Sequence, residues 1–169
     1  MVRRIGLLSD THNYLDPSLQ SFFSDCDEIW HAGDIGDISL MQELEKWKPV
    51  RAVQGNIDSG ETKYTYPEYQ IIDIEGFKIL LIHIAGSIGK YNKKIVDIIK
   101  HNNEYNCIIC GHSHILKVQY DSKFNLLYIN PGAAGKHGFH HMRTARKFEI
   151  ENKKTQNIQL IELGKRGAI

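Results

Sequence analysis

The sequence has almost no excess charge. Its 21 basic and 20 acidic residues in 169, with nine histidines counted neutral, leave a formal net charge of +1. So balanced a chain offers duplex nucleic acid no broad positive field, and no pattern of interleaved aromatic and basic residues takes its place. A small phosphorylated ligand stays open. Long apolar runs are missing too. No stretch approaches the ~20 apolar residues of a membrane helix. The N-terminal MVRRIGLLSD starts like a signal peptide, but its apolar run ends at Leu8 and meets Asp10 at once. The cysteines are few: Cys26, Cys107 and Cys110 form an odd set without disulfide-framework spacing. These absences together predict a reduced, cytoplasmic protein with no membrane attachment. Low-complexity segments, internal repeats and linkers are also lacking, so the length predicts one domain over residues 1–169 with its own core.

Cys107 and Cys110 form a C-x-x-C, a spacing used in redox and zinc motifs. They lie in the apolar run Asn106–Cys110, which reads as a strand, so their side chains should leave on opposite faces. A redox pair opens a helix, and zinc needs a second pair of ligands that the sequence does not supply. Plain buried thiols are the expectation.

The remaining pattern is regular. Short apolar runs at Arg3–Ser9, Glu28–His31, Val50–Val53, Ile79–His83 and Asn106–Cys110 end in polar or glycine turns. Between them, Asp16–Phe23, Ser39–Lys46 and Ser87–His101 have helical apolar spacing, the last through Ile88, Tyr91, Ile95, Ile98 and Ile99. Tyr69–Glu75, Gly76 and Phe77–Ile82 read as a hairpin. After His114, Ile115–Tyr120, Phe124–Ile129, Arg146–Glu151 and Ile158–Ile161 read as antiparallel strands, with DSK and ENKKTQ as turns. The expected architecture is α/β: a four-layer α/β/β/α sandwich of two mixed sheets flanked by helices.

Each of the five runs leads into metal-type donors. They are Asp10 and His12, Gly33-Asp34 with Asp37 beyond, Gly55-Asn56 with Asp58 beyond, His83, and Gly111-His112-Ser113-His114. Ligands of open α/β sheets bind beyond the carboxyl ends of strands, which would gather these donors around one crevice. If the chain stays extended, Asp10 and His12 point to one side, as do His112 and His114. Taken singly, Asp34 reads as a helix cap, Asn56 as a turn residue and His83 as a bonded core histidine. Two imidazoles after a buried strand are harder to explain that way, because desolvating them without partners is costly. The set is too large for one tetrahedral zinc and holds no thiolate. Its mixed nitrogen and oxygen donors suit two divalent ions among manganese, iron, cobalt, nickel and zinc, with manganese favoured by the oxygen content.

In order and spacing these motifs resemble the calcineurin-like metallophosphoesterase superfamily: D-x-H, G-D-x-x-D, G-N-x-[DE], H and G-H-x-H. The short chain, the G-N-x-D form and the turn Asn130-Pro131-Gly132 resemble its small prokaryotic phosphodiesterase branch, to which the retromer's metallophosphoesterase-fold subunit is related. The resemblance implies one ion on Asp10, His12, Asp34 and His114, and a second on Asp34, Asn56, His83 and His112, with Asp34 bridging. It also implies a bridging hydroxide that attacks phosphorus in line, with Asp34, Asn56 and His83 as catalytic residues. Asp37 and Asp58 would orient imidazoles or water from behind.

Three departures from the pattern stand out. Ile57 occupies the position where vigorous phosphatases of the superfamily carry a histidine that protonates the leaving group. A general acid contributes ~10²–10⁴-fold, so modest turnover and a preference for good leaving groups follow. Ile84-Ala85-Gly86 replaces the usual glycine after His83 and reshapes the rim. The stretch Lys136–Arg143 is rich in histidine and base, and reads either as a substrate contact or as a solvated loop. The leading expectation is a phosphodiesterase for a small phosphorylated substrate. A phosphomonoesterase and a weakly active scaffold that keeps the fold are the alternatives, and a homo-oligomer is open.

Overall fold

The computed structural model describes residues 1–102 and 105–167. In chain order its elements are β1 (Arg3–Leu8), α1 (Ser18–Phe22), β2 (Glu28–His31), α2 (Ile38–Trp47), β3 (Val50–Ala52), α3 (Gly60–Thr65), β4 (Tyr69–Ile74) and β5 (Phe77–Ile82). They continue with β6 (Gly86–Ser87), β7 (Lys90–Tyr91), α4 (Lys93–Asn102), β8 (Cys107–Ile109), β9 (Lys117–Asp121), β10 (Leu126–Asn130), β11 (Met142–Glu151) and β12 (Lys154–Lys165). Two five-stranded sheets form, in the orders β12-β11-β1-β2-β3 and β4-β5-β8-β10-β9. In the first, β1, β2 and β3 run parallel while β11 and β12 are antiparallel. In the second, β5, β8 and β10 run parallel between antiparallel edges β4 and β9.

Alternating side chains divide the apolar residues into three cores. Ile5, Leu7 and Trp30 of the first sheet meet Ile79, Leu81 and Ile109 of the second in a layer between them. Leu8, Ile29 and Ala52 face the other way, against Leu19 of α1 and Leu40, Met41 and Leu44 of α2. Leu80, Ile82 and Ile108 face outward against Ile95 and Ile99 of α4. This is the four-layer α/β/β/α order expected from the sequence. Cys107 lies in the central core and Cys110 in the outer one, on opposite faces as strand alternation requires. Burial pushes the Cys110 thiol up to about 12 and raises Cys107 further, which makes both inert thiols.

The structure differs from expectation in four places. The helix expected over Ser87–His101 starts only at Lys93, because Gly86 and Gly89, at φ of 95° and 73°, turn residues 86–91 into the small hairpin β6–β7. Asn92 then accepts from the Ile95 N–H at 3.0 Å and opens α4. The short helix α3 was not signalled by periodicity; it docks through Thr62 Oγ1, which donates to the Gly36 carbonyl at 2.8 Å. β11 and β12 are far longer than their apolar cores. They meet in a tight turn at Asn152-Lys153, both at positive φ, so Thr155 and Gln156 belong to the strand. Finally, β10 runs parallel to β8 and is antiparallel only to β9.

Candidate metal centre

β1, β2 and β3 end beside the ends of β5 and β8, so the loops leaving both sheets meet in one cleft. Asp10 and His12 follow β1, Asp34 follows β2, Asn56 follows β3, His83 directly follows β5, and His112 and His114 follow β8. The backbone there is not extended. Asp10, His12, Asp34, His112 and His114 all lie in the left-handed region, with φ between 44° and 64°. That conformation costs a non-glycine residue on the order of 1–2 kcal/mol, and it points these side chains inward after the strands have ended. Glycines let the loops close: a Cβ on Gly55 would overlap the Asp34 backbone and carboxylate, and one on Gly111 would overlap Ser9 and Asp10.

The donors form two groups whose ligand atoms lie within 4.8 Å of one another: Asp10, His12 and His114, and Asp34, His83 and His112. In the first group, Asp10 Oδ1 lies 3.1 Å from His114 Nε2. In the second, Asp34 Oδ1 lies 3.2 Å from His83 Nε2. Asn56 Oδ1 joins it at 3.0 Å from His83 Nε2 and 2.9 Å from His112 Nδ1. Asp34 Oδ2 reaches back to within 3.6 Å of His12 Nε2 in the first group. Asp34 therefore offers one carboxylate oxygen to each group. All seven residues singled out as ligands in the sequence are brought together.

The donor set fits a cation. Asp10 Oδ1 and His12 Nε2 are buried without a hydrogen-bond partner. Such orphaned atoms cost several kcal/mol in an apolar site unless an ion or water engages them. Burial holds His12 below the usual imidazole range despite Asp34 and Asp10 nearby, which keeps its lone pair free. Burial alone would lower His83 as well, but the Asp34 and Asp10 carboxylates outweigh it and raise its pKa. Burial would raise Asp34, yet the hydrogen bond and charge of His83, the Ile57 N–H and His12 bring it down.

Two residues behind the ligands take other parts than the sequence suggested. Asp37 caps α2, accepting from the Ser39 N–H at 2.9 Å, and is exposed. Asp58 is buried and accepts from the backbone N–H groups of Ile35, Gly36 and Gly55, at 3.2, 2.8 and 2.7 Å. It therefore shapes loops rather than imidazoles. His31, which spacing did not single out, is fully buried behind the centre. Its Nδ1 accepts from Gly33 N–H at 3.1 Å, so Nε2 carries the proton toward Thr11 Oγ1 at 2.9 Å, and Thr11 in turn donates to the Ile35 carbonyl. The only signal in the sequence is a histidine closing a buried strand. The Lys136–Arg143 stretch is not simply solvated either: His137 and His140 stand with their rings 5.1 and 5.0 Å from those of His12 and His114.

The family model of the calcineurin-like phosphoesterase superfamily domain matches residues 4–153, and the chain belongs to that superfamily. Among curated relatives, a probable metallophosphoesterase of Methanocaldococcus jannaschii is 29% identical over 134 residues, which cover 76% of this chain and 67% of that protein. Another, from Methanothermobacter thermautotrophicus, is 37% identical over 84 residues; the match spans 47% of this chain and about half, 48%, of that relative. Among solved structures, an archaeal phosphodiesterase superposes with a TM-score of 0.74 at 20% identity, covering 94% of this chain and 99% of that one. Vacuolar Protein Sorting 29 from Cryptosporidium parvum gives 0.67 at 18% identity, covering 95% and 97%. At these identities the structural matches establish a shared fold.

Proposed function

We propose that this protein is a phosphodiesterase that hydrolyses a small phosphodiester at a dinuclear centre of divalent ions, manganese being the favoured metal. The observation that carries the reading is Asp34, whose two carboxylate oxygens face the two donor groups, 3.6 Å from His12 and 3.2 Å from His83. Asp10, His12, Asp34 and His114 would hold one ion, and Asp34, Asn56, His83 and His112 the other. When bound, such a pair lowers the pKa of water toward ~7 and neutralises phosphate oxygens.

The chain's own residues prepare that chemistry. His83 Nδ1 donates to the Ala32 carbonyl at 2.8 Å, so in the neutral ring the Nε2 lone pair faces the centre. Asp34 stays ionised, and the Ile57 N–H at 3.1 Å holds its Oδ1 in place. Ile57 supplies no proton to a leaving group, which favours substrates whose alkoxide or phenoxide departs unaided. Two cavities of about 270 Å³ each open on either side of Ile84. One is walled by Ile84, Ile88, Ile115 and Lys117 next to His112, the other by Asn56, Lys63, Glu68 and His83. A cleft with two arms suits a phosphorus that bears two organic substituents, and this favours a diester over a monoester. No helix among the described residues is long and apolar enough to cross a membrane.

The test is hydrolysis of bis(p-nitrophenyl) phosphate by metal-stripped protein before and after adding manganese. Activity should return with the metal, exceed that on p-nitrophenyl phosphate, and fall to background in Asp34→Asn. Bound metal without turnover under manganese, cobalt, nickel or zinc would overturn the enzyme reading and favour a scaffold.

A further inference from the structure

We propose that His140 is a positioning residue that fixes the tautomer and direction of His114, and so completes the Asp10–His12–His114 half of the centre. The proposal rests on the metal-centre reading above.

With both rings neutral, the hydrogen-bond chain leaves one consistent arrangement of protons. A carbonyl oxygen can only accept, so His140 Nε2, 2.9 Å from the Gly135 carbonyl, must carry a proton. In the neutral ring Nδ1 is then the acceptor. It lies 3.0 Å from His114 Nδ1, which must therefore be the donor. His114 is left with a bare Nε2 lone pair, aimed at Asp10 Oδ1 at 3.1 Å. Two acceptors that close repel unless a cation lies between them. The relay thus presents His114 in the form a metal requires, the role that a carbonyl or carboxylate commonly plays for ligating histidines. His83 obtains the same preparation directly from the Ala32 carbonyl.

The loop is built to hold this relay. Ala134 N–H donates to Ser9 O at 2.9 Å and Gly135 N–H to Asp10 O at 3.0 Å, so the carbonyl that sets the relay is stitched to the strand end bearing Asp10. A Cβ at Gly135 would overlap the Thr11 and Asp10 carbonyls, and one at Gly138, at φ 125°, would overlap the His114 ring. A histidine that merely stapled the loop would need only the Gly135 bond. That role leaves unexplained the second ring nitrogen directed at a ligand imidazole.

The test uses the full chain, stripped of metal. Wild-type protein, His140→Ala, His140→Gln and Phe139→Ala are titrated with manganese, and imidazole tautomers are read by ¹⁵N NMR before metal is added. Wild-type His114 should carry its proton on Nδ1, and two ions should bind. His140→Ala should lose that tautomer preference and weaken one of the two ions by about 10–100-fold, while the other stays as it was. His140→Gln, which keeps an acceptor on the side chain, should recover part of the loss. Phe139 is fully exposed in the same loop, and its removal should change neither readout. A wild-type His114 protonated on Nε2 would overturn the relay whatever the variants do. So would His140→Ala binding both ions at wild-type affinity. Wild-type protein that binds fewer than two ions would instead overturn the dinuclear reading, with the NMR result still deciding the tautomer.

Discussion

At the scale of single residues, the cost of the site is carried by backbone and by burial. Five of the candidate ligands sit at positive φ, and His31 is sealed behind them with both ring nitrogens engaged. Burial lowers His31 from 6.5 to about 4. Between those values the unfolded chain binds the proton that the folded one refuses, so stability rises with pH across the window. The contribution is complete above about pH 6.5 and is lost as pH falls toward 4; the 2.5-unit gap corresponds to on the order of 3 kcal/mol. Urea unfolding of chelated protein from pH 4 to 7.5 should show this slope, and His31→Gln should flatten it. His12 and His140, also lowered by burial, act with the same sign, so the difference between the two proteins isolates His31.

At the scale of elements, what matters is how the loops after β2 and β3 are tied. Asp58 collects three backbone N–H groups from both, and α3 is pinned to the same turn through Thr62. Asp58→Ala leaves those buried donors unpaired, at about 1–3 kcal/mol. It should lower the urea midpoint and weaken manganese binding, since Asp34 and Asn56 ride on these loops. The rim hairpin β6–β7 is tied in a similar way: Asp121 accepts from the Gly89 N–H at 2.9 Å and the Tyr91 hydroxyl at 2.8 Å. Tyr91 shows why the helix onset was misplaced. Its spacing from Ile88 and Ile95 fits a helix, while its burial comes from packing against Phe124 and Tyr128.

For the molecule as a whole, each donor group draws on both sheets. Asp10 and His12 come from the first sheet and His114 from the second; Asp34 comes from the first, His83 and His112 from the second. Neither sheet alone can assemble either donor group, so ion binding there would be linked to the packing of one sheet on the other. Metal should therefore raise the melting temperature in a concentration-dependent way, with about 2.7 kcal/mol expected at a hundredfold excess over Kd. Asp34→Asn should lose most of that increment. A melting temperature indifferent to manganese, cobalt, nickel and zinc would show that ion binding and sheet packing are not coupled.

Much of this was legible along the chain. Short apolar runs marked the strands, their polar ends marked the seven donors, and strand alternation placed Cys107 and Cys110 on opposite faces; all depend on neighbours within a few residues. The family resemblance implied which donors share a group, but no local signal along the chain did, because within the groups Asp10 meets His114 from the far end of the ligand set and His83 meets Asn56 across 27 positions. Tertiary structure alone turned the ligand backbone left-handed, drew His31 and His140 to the centre, and made Asp58 a clamp for amides. None of these has a local period to betray it. Each follows from where packing two sheets face to face forces distant loops to meet.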